Sequence, residues 1–295
     1  MPEGDTIFRT AVALRKALAG AEVIGFETAY APLASANDNS PVIGRTIEKV
    51  ESRGKWLLIY FSGDLILVTH MLMSGSWHIY RRGERWKRGR QHMRVLVQTR
   101  EFEAVAFDVP LASFHTARSL QRHTALPKLG PDILDAHFSE DDAIVRVLAD
   151  PEEEIANVLL NQRVIAGMGN VFKSEVCFAC KVHPFRTVAS LSRAEIEDLI
   201  DTAKKMMAAS ALKTSGSYIT TYTGARRTTG NANPAARVWV YGRQGRPCRR
   251  CGAAILMRKQ GTGARSTYWC PECQPSDAPV AGWANAIRRK KVGCS

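Results

Sequence analysis

The sequence contains no apolar run that approaches the roughly 20 residues a membrane-spanning helix needs, so we expect no membrane-embedded segment. It is also poor in acidic residues, with 28 Asp and Glu against 41 Lys and Arg, which gives a formal net charge of +13 and a sequence pI near 9.6. A surplus of this size indicates a polyanionic partner, with nucleic acid the first expectation and acidic membrane surfaces the second.

Cysteines that could form a disulfide framework are scarce as well. Four of the seven cysteines form two CxxC pairs separated by 18 residues, namely Cys248, Cys251, Cys270 and Cys273. Pairs at this separation are typical of a tetrahedral four-thiolate zinc site. We expect no secretory signal, which disfavours disulfides, and we therefore expect one structural zinc ion and a reducing, cytoplasmic compartment.

Between the two CxxC pairs the pattern predicts a hairpin, with strands at 254–257 and 266–269 and its turn at 260–264. Arg265 follows the turn directly, so its guanidinium is expected near the end of a metal-stabilised finger. A four-thiolate site leaves no open coordination position for chemistry. Cys177 and Cys180 form a third CxxC within an apolar helical stretch, where core packing is favoured over metal or redox use.

Positive charge is concentrated in two stretches. The first surrounds Trp86 and contains Arg81, Arg82, Arg85, Lys87, Arg88, Arg90 and Arg94. It fits a solvated loop between strands as well as a surface for a polyanion. The second, at 288–291, lies in a predicted C-terminal tail and is expected to add non-specific attraction to phosphates.

Hydrophobic patterning predicts an α+β protein of several domains. A helix is expected at 6–18, followed to about residue 125 by short strands separated by turn residues, at 56–61, 65–68, 76–80, 93–99 and 102–108. So many short strands indicate a sandwich or flattened barrel. Two prolines and a glycine at 126–131 mark a hinge.

Beyond the hinge the pattern becomes helical. Capping-box patterns begin at Ser139 and Ser192, and each predicts the start of a helix. Asp150 followed by Pro151 predicts a further helix, with Asp150 as the N-cap and the proline in its first position.

A Gly-x-Gly sequence lies between these helices. Gly167 and Gly169 predict a tight turn, with the next helix beginning at about Asn170. The backbone amides at that helix start would offer a phosphate site, although helical hairpins also use such turns for steric reasons alone.

The start of the chain combines Pro2 with Glu3. Removal of Met1, the usual outcome when proline follows, leaves a free secondary amine that titrates near neutrality and can act as a nucleophile. The adjacent carboxylate can donate or accept a proton beside it. Most such dipeptides are ordinary chain starts, so the other motifs decide whether this pair is catalytic.

Taken as an ordered set, these motifs resemble the family of formamidopyrimidine-DNA glycosylase and endonuclease VIII. The segments that carry the resemblance are 1–5, 52–58, 70–75, 129–132, 167–170 and 241–243. The resemblance extends from residue 1 to about residue 274. The Met-Pro-Glu-Gly-Asp start and the segment 239–242 are more similar to the endonuclease VIII branch.

The resemblance implies a domain order. It places an N-terminal β-sandwich catalytic domain first and DNA in a cleft between that domain and a helical domain with a helix-two-turns-helix motif. The implied boundaries are 1–125 for the sandwich, 126–138 for the linker, 139–240 for the helical domain, 241–274 for the four-cysteine zinc finger and 275–295 for a basic tail.

For the reaction, the resemblance implies that Pro2 attacks C1′ of the damaged nucleotide and displaces the base, forming an iminium. Glu3 would protonate the sugar ring oxygen, which requires a carboxyl group that holds a proton at that stage. The iminium acidifies the C2′ protons, so that β- and then δ-elimination cleave the strand. Lys55 would hold the phosphate beside the lesion and assist β-elimination.

For DNA binding, the resemblance implies that Asn170 and Arg265 contact the phosphates on either side of an extruded nucleotide, with Arg265 also assisting δ-elimination. His70 belongs to the motif at 70–75 and is expected at the DNA as well. Met73 matches a position that fills the gap left in the base stack, although a core methionine is the alternative.

Four departures from the family pattern bear on the preferred lesion. The spacing between the CxxC pairs is longer by two residues, and residues 275–295 extend beyond the finger. The stretch 214–235, which corresponds to the lesion-covering loop, is unlike the purine-capturing form. After Asp108, relatives acting on oxidised purines have Arg and Phe, whereas this chain has Val109 and Pro110, which we expect to present apolar surface. The hydrogen-bond donor that the arginine of those relatives provides is therefore missing here, and Arg118 or Arg122 could supply it.

The sequence therefore predicts a monomeric DNA glycosylase and abasic-site lyase of base excision repair, acting on damaged DNA at the nucleoid, with oxidised pyrimidines favoured. A glycosylase for oxidised purines is one alternative. A non-catalytic zinc-finger DNA-binding protein is another, but binding alone would need neither a free amine at Pro2 nor the carboxylate of Glu3.

Overall fold

The computed structural model describes residues 2–212, residue 228 and residues 237–276. The basic block at 288–291, nearly all of the predicted tail and most of the predicted lesion-covering loop therefore lie outside the described residues. Among the described helices, none is both long enough and apolar enough to cross a membrane.

Eight strands between residues 25 and 115 build two antiparallel sheets of four strands each. They are β1 (Gly25–Thr28), β2 (Ile47–Arg53), β3 (Trp56–Phe61), β4 (Leu65–His70), β5 (Ser76–Arg81), β6 (Met93–Gln98), β7 (Phe102–Phe107) and β8 (Leu111–His115). One sheet has the order β1-β6-β7-β5 and the other the order β2-β3-β4-β8. The predicted β-sandwich is confirmed.

The apolar run of β3 reflects burial on both faces of its sheet. Successive side chains of a strand point to opposite sides. Leu57 and Ile59 join the core between the sheets, whereas Leu58 packs on the outer face with Leu126. The first helix, α1 (Gly4–Leu18), closes the inner core with residues spaced four, three and four apart, namely Ile7, Ala11, Leu14 and Leu18.

Two short helices, α2 (Ala31–Asn39) and α3 (Ala117–Leu120), accompany the sandwich, and four more form the helical domain around one apolar core. These are α4 (Glu140–Leu148), α5 (Ile155–Leu160), α6 (Asn170–Ala179) and α7 (Arg193–Leu212). Cys177 is fully buried in this core, as its predicted packing role requires.

Two of the three helix starts predicted from capping residues, at Ser139, Asp150 and Ser192, are correct. Ser139 Oγ caps α4 by accepting from Asp142 N at 3.1 Å, and Ser192 forms a reciprocal capping box at the start of α7. The start at Asp150-Pro151 is wrong, because α5 begins only at Ile155. The residues before it pair their backbone with the segment 184–189, as in the hydrogen bond from Ala189 N to Pro151 O at 2.8 Å.

The finger follows at the end of the described chain. Its hairpin consists of β9 (Leu256–Gln260) and β10 (Arg265–Trp269), so the first strand lies later and is one residue longer than predicted. Arg265 is the first residue of β10 and pairs with Gln260. The fold is thus a β-sandwich, a helical domain and a four-cysteine finger.

Candidate active site between the sandwich and the helical domain

Glu3 is fully buried at the junction of the two domains. Its Oε1 accepts a hydrogen bond from Val171 N at 2.9 Å, and its Oε2 accepts one from Phe172 N at 3.4 Å. These amides belong to the first turn of α6, where an N-cap side chain normally serves them. The N-cap of α6 is Gly169, which has no side chain, so Glu3 caps the helix from the other domain.

This contact corrects the interpretation of the Gly-x-Gly turn as a phosphate site. The amides of Val171 and Phe172 face the protein's own carboxylate rather than open solvent. The helix end still selects for negative charge, but the anion it holds is Glu3.

Gly167 brings the start of the chain and the hairpin between β2 and β3 together. Gly4 N donates to Gly167 O at 2.8 Å, and a Cβ atom on Gly4 would lie 2.8 Å from Gly167 Cα. On the other side, a Cβ atom on Gly54 would lie 3.4 Å from Gly167 N. Gly167 itself has φ +96°, a conformation that L side chains rarely adopt. The turn at Gly167 therefore packs against Gly4, the residue after Glu3, and against Gly54, the residue before Lys55.

Asp132 fixes the hairpin that carries Lys55. Its Oδ2 accepts from Gly54 N at 2.6 Å, and its Oδ1 accepts from Leu134 N at 3.1 Å. Burial raises the pKa of Asp132 above its ordinary value, although both of these hydrogen bonds act in the opposite direction. Lys55 is half-buried immediately before β3.

His70, at the end of β4, lies beside Lys55 as a neutral imidazole. Burial lowers the pKa of His70 to about 4, and the positive charge of Lys55 contributes to this decrease. Its Nδ1 accepts from Leu72 N at 3.0 Å, so the hydrogen of the neutral ring is on Nε2, which can act as a donor. Trp56 holds the ring edge-on, with the ring centroids 4.6 Å apart.

Met73 lies in the turn after β4 and is 65% exposed, so it contributes little to the core. Its neighbour Leu72 has φ 45°, and a Cβ atom on Gly75 would lie 2.7 Å from Met71 O, so the turn is closed tightly on itself. The side chain thus projects outward from a constrained turn.

The predicted apolar surface after Asp108 is only half correct. Pro110 is exposed, but Val109 is fully buried and its carbonyl oxygen accepts from the Tyr30 hydroxyl. Arg118 cannot replace the missing donor, because it lies beyond the far end of β8, where Ala117 N contacts Asp64. That end is roughly 17 Å along β4 from His70. Arg122 follows on the outer face of the same sheet, next to His123, whose ring packs edge-on against Trp56.

A second group of polar side chains joins α6 to the finger. Asn170 is buried, its Nδ2 donates to Ser266 O at 2.8 Å, and its Oδ1 has no hydrogen-bond partner among the described atoms. Arg265 precedes Ser266 and is exposed. Asn170 and Arg265 are therefore brought to the same strand of the finger, close to the end of α6 that Glu3 caps.

Lys173 lies one turn further along α6 and is fully buried. Its Nζ donates to Thr267 Oγ1 at 2.7 Å. Burial lowers the pKa of Lys173 to about 8; the charge of Arg265 acts in the same direction, whereas Cys177 and Glu3 oppose it. The sequence interpretation missed this cation. A lysine within the apolar stretch of α6 was the available signal.

Glu175, also missed, is a fully buried carboxylate that holds the chain entering the finger. It accepts from Trp239 N at 2.8 Å, Val240 N at 2.9 Å and Tyr241 N at 2.8 Å, and also from the Thr228 hydroxyl. Three consecutive backbone amides on one carboxylate make this approach to the finger rigid.

The four cysteines of the finger form a metal site. Their sulfur atoms all lie within 4.8 Å of one another, with separations of 3.9 Å for Cys248–Cys273 and 3.4 Å for Cys251–Cys270. Tetrahedral bonds of about 2.3 Å from zinc to sulfur require sulfur atoms roughly 3.8 Å apart, so the donor set fits one zinc ion. Four thiolates complete the coordination, so the site is structural.

Comparison with protein families divides the chain in the order seen in the structure. Residues 1–111 match the formamidopyrimidine-DNA glycosylase N-terminal domain, residues 129–223 match the formamidopyrimidine-DNA glycosylase H2TH domain, and residues 245–275 match a zinc finger found in FPG and IleRS.

Individual proteins match over nearly the whole chain. A probable endonuclease 8 2 of Streptomyces coelicolor is 36% identical, covering 99% of this chain and 100% of its own. The DNA-(apurinic or apyrimidinic site) lyase Nei2 of Mycolicibacterium smegmatis is 34% identical, covering 93% and 99%. In fold, the chain superposes on Lactococcus lactis Fpg in complex with DNA containing an abasic site, with a TM-score of 0.77, 23% identity and coverage of 93% and 100%. The chain belongs to the formamidopyrimidine-DNA glycosylase/endonuclease VIII family of DNA glycosylases and abasic-site lyases, with one structural zinc ion in its finger.

Proposed function

We propose that the protein is a bifunctional enzyme that excises oxidised bases from DNA, favours oxidised pyrimidines, and cleaves the strand by β- and then δ-elimination. The observation that carries the proposal is the buried carboxylate of Glu3, held by two amides of α6 next to Pro2. A protein that only binds DNA could use Glu3 as the cap of α6, but it would gain nothing from a free amine at Pro2 beside that carboxylate.

In the proposed reaction, the unprotonated amine of Pro2 forms a bond to C1′ of the damaged nucleotide as the bond to the base breaks. The attached amine carries a proton after the attack; the carboxylate of Glu3 takes this proton and gives it to the sugar ring oxygen, so the bond from C1′ to the ring oxygen breaks and an iminium forms, while the released base takes a proton from solvent. Loss of a C2′ proton then expels the 3′ phosphate, and a second elimination expels the 5′ phosphate. Each elimination consumes a proton acceptor but no external oxidant or cofactor.

The phosphates flanking the lesion are assigned to four side chains. Lys55 and the Nε2 hydrogen of His70 are close together at the end of β4, which supports one shared phosphate. Arg265 and the second amide hydrogen of Asn170 would serve the other side, from the finger and from α6. Charge-assisted contacts of this kind fix the DNA in register.

The preference for oxidised pyrimidines rests on the two residues after Asp108. Val109 is buried and Pro110 lacks a backbone N–H, so this turn offers no donor to an unpaired cytosine. The fold itself accepts both classes of lesion, since Lactococcus lactis Fpg has been crystallised with DNA containing an oxidised pyrimidine and with DNA containing Fapy-dG. We expect a monomer that acts in the cytoplasm at the nucleoid.

Borohydride trapping tests the proposed nucleophile. Untagged protein mixed with an oligonucleotide containing dihydrouracil should give a reduced covalent adduct, and peptide mapping should locate the adduct on Pro2. A version with an uncleaved N-terminal extension, which has no free proline amine, is the matched control and should not be trapped. An adduct on Lys55, or trapping of the extended version, would refute the assignment.

The lesion preference needs a separate experiment. Single-turnover rates of base release should be higher for thymine glycol and dihydrouracil than for 8-oxoguanine opposite cytosine. A clear preference for duplex 8-oxoguanine opposite cytosine would support the oxidised-purine alternative instead. Absence of trapping with every lesion, combined with tight DNA binding, would support the non-catalytic alternative.

A further inference from the structure

The basic loop between β5 and β6, residues 82–92, is anchored to the sandwich rather than freely solvated. Trp86 Nε1 donates to Glu103 Oε2 at 2.8 Å, and the Trp86 ring stacks on Tyr80 with the centroids 6.4 Å apart. Lys87 N donates to the Tyr80 hydroxyl at 3.1 Å. The loop is therefore fixed at Trp86 and Lys87 on the outer face of the sheet β1-β6-β7-β5.

Arg88 is the arginine of this loop that reaches the turn after β7. Its Nη1 donates to Asp108 Oδ2 at 2.7 Å, while His92 Nδ1 contacts Asp108 Oδ1 at 2.9 Å. Slight burial raises the pKa of Asp108, but the hydrogen bond and charge of His92 and the charge of Arg88 outweigh it, and the pKa is lower than usual. Asp108 has φ 48° and is locked by a hydrogen bond from its N–H to His92 O at 2.8 Å.

The ion pair of Arg88 with Asp108 lies against the turn that carries Met73. Ser74 Oγ donates to Asp108 O at 3.4 Å, and a Cβ atom on Gly75 would lie 2.9 Å from Val109 Cα. The guanidinium of Arg88 is thus held next to the turn of the exposed methionine. The Arg88 side chain remains 41% exposed even though it is ion-paired.

We propose that Arg88, oriented by Asp108, donates hydrogen bonds to the base left unpaired opposite the lesion. The inference rests on the proposed function, because it takes Met73 to be the residue that enters the stack. Arg88 would reach that base from a different loop and would contact any of the four bases, so it would not restore a contact selective for cytosine.

The chemistry of the guanidinium suits this role. It has five N–H donors in a fixed fork, and the contact with Asp108 uses only one side of it. All four bases carry ring-nitrogen or carbonyl acceptors on the edge exposed by loss of the partner. Arg88 should therefore favour duplex over single-stranded substrate without selecting strongly among opposite bases.

Equilibrium binding of DNA containing a tetrahydrofuran abasic analogue provides the test, because it needs no catalysis. With any base opposite the analogue, Arg88→Ala should weaken duplex binding by about tenfold or more, the usual scale for a bidentate arginine contact. The loss should shrink to less than about twofold when the opposite position is also abasic, and for single-stranded DNA, because only the base contact is removed. A loss of the full size that persists on these two substrates would overturn the proposal, because it would indicate a phosphate contact.

Two further variants keep the result interpretable. Arg85→Ala removes an exposed charge from the same loop, so it should weaken binding of every substrate equally through lost phosphate attraction. Asp108→Asn tolerates the left-handed backbone but loses the negative charge, so it should reproduce part of the Arg88→Ala effect with the same dependence on the opposite base. If Asp108→Asn binds every substrate like the parent, Asp108 does not position Arg88. Failure of borohydride trapping in the parent would instead refute the proposed chemistry and leave these binding differences measurable.

Discussion

Replacing Gly169 with alanine should disable base excision, and it should do so only by displacing the Glu3 side chain. A Cβ atom at residue 169 would lie 2.2 Å from Glu3 Cδ and 2.3 Å from Glu3 Cγ, far inside any real contact. The backbone at Gly169, with φ −124° and ψ −170°, is one that alanine adopts freely. The substitution therefore adds a steric conflict without backbone strain, and the Glu3 side chain must move.

The size of the effect depends on the contacts that Glu3 loses. Its carboxylate head is held by the amides of Val171 and Phe172. Hydrogen bonds to a charged group contribute about 1.5–3 kcal/mol each, so moving the head sacrifices roughly 3 kcal/mol or more of positioning free energy. A general acid contributes on the order of 10²–10⁴ in rate, so base release should fall by at least about 100-fold.

The assay compares two reactions of the same variant. Single-turnover base release from dihydrouracil DNA should show the full loss in Gly169→Ala, whereas cleavage of a preformed abasic site should fall much less, because part of that sugar is already ring-opened. Gly263→Ala is the control, since its added Cβ atom would meet nothing closer than 3.6 Å. Base release by Gly169→Ala within about threefold of the parent, far short of the loss of a general acid, would refute this account of Glu3.

Three further predictions concern α6 and the finger. The pKa of Lys173 is about 8 in the folded protein against an ordinary 10.5, so as the pH rises the folded state loses this proton before the unfolded state does. The free energy of unfolding of the parent, relative to that of Lys173→Met, should therefore rise by ~3 kcal/mol between pH 8 and pH 10.5. A difference between the two proteins that does not change over this pH range would contradict the prediction. Cys273→Ser should release zinc and weaken DNA binding, whereas full zinc content by metal analysis would show that this thiolate is not a ligand. Arg265→Ala should retain zinc, shift the strand-cleavage product from δ- towards β-elimination, and reduce the log–log salt slope of binding by about one; an unchanged product ratio on a denaturing gel would count against its role.

Local patterns predicted much of the fold. The spacing of apolar residues in α1 and the two-sided apolar run of β3 were sufficient to identify those elements. The CxxC pairs identified the zinc site, because each motif needs only its own turn to bring two sulfur atoms together. The false helix start at Asp150 shows the limit of such signals, since pairing with the segment 184–189 occupies the carbonyl oxygens of Pro151 and Glu153 that a helix would need.

The environment of the candidate site could not be predicted in the same way. Glu3 receives its hydrogen bonds from residues 168 and 169 positions later, a distance that no local pattern encodes. Lys173 and Glu175 would each be expected to face solvent, but the finger covers Lys173 and the segment that enters the finger covers Glu175. The polar residues of α6 are buried because each finds a partner in another part of the chain.

The capping of α6 by Glu3 means that the acid belongs to neither domain by itself. A fragment ending near residue 125 would retain Pro2, Glu3 and Lys55 in its sequence, yet its carboxylate would face water instead of Val171 and Phe172. The helical part alone would begin α6 with unsatisfied amides. Each fragment lacks a hydrogen-bond partner that the other provides, so the two separate fragments should recover catalytic activity when they are mixed. The affinity between the fragments would then set the fraction of molecules able to react.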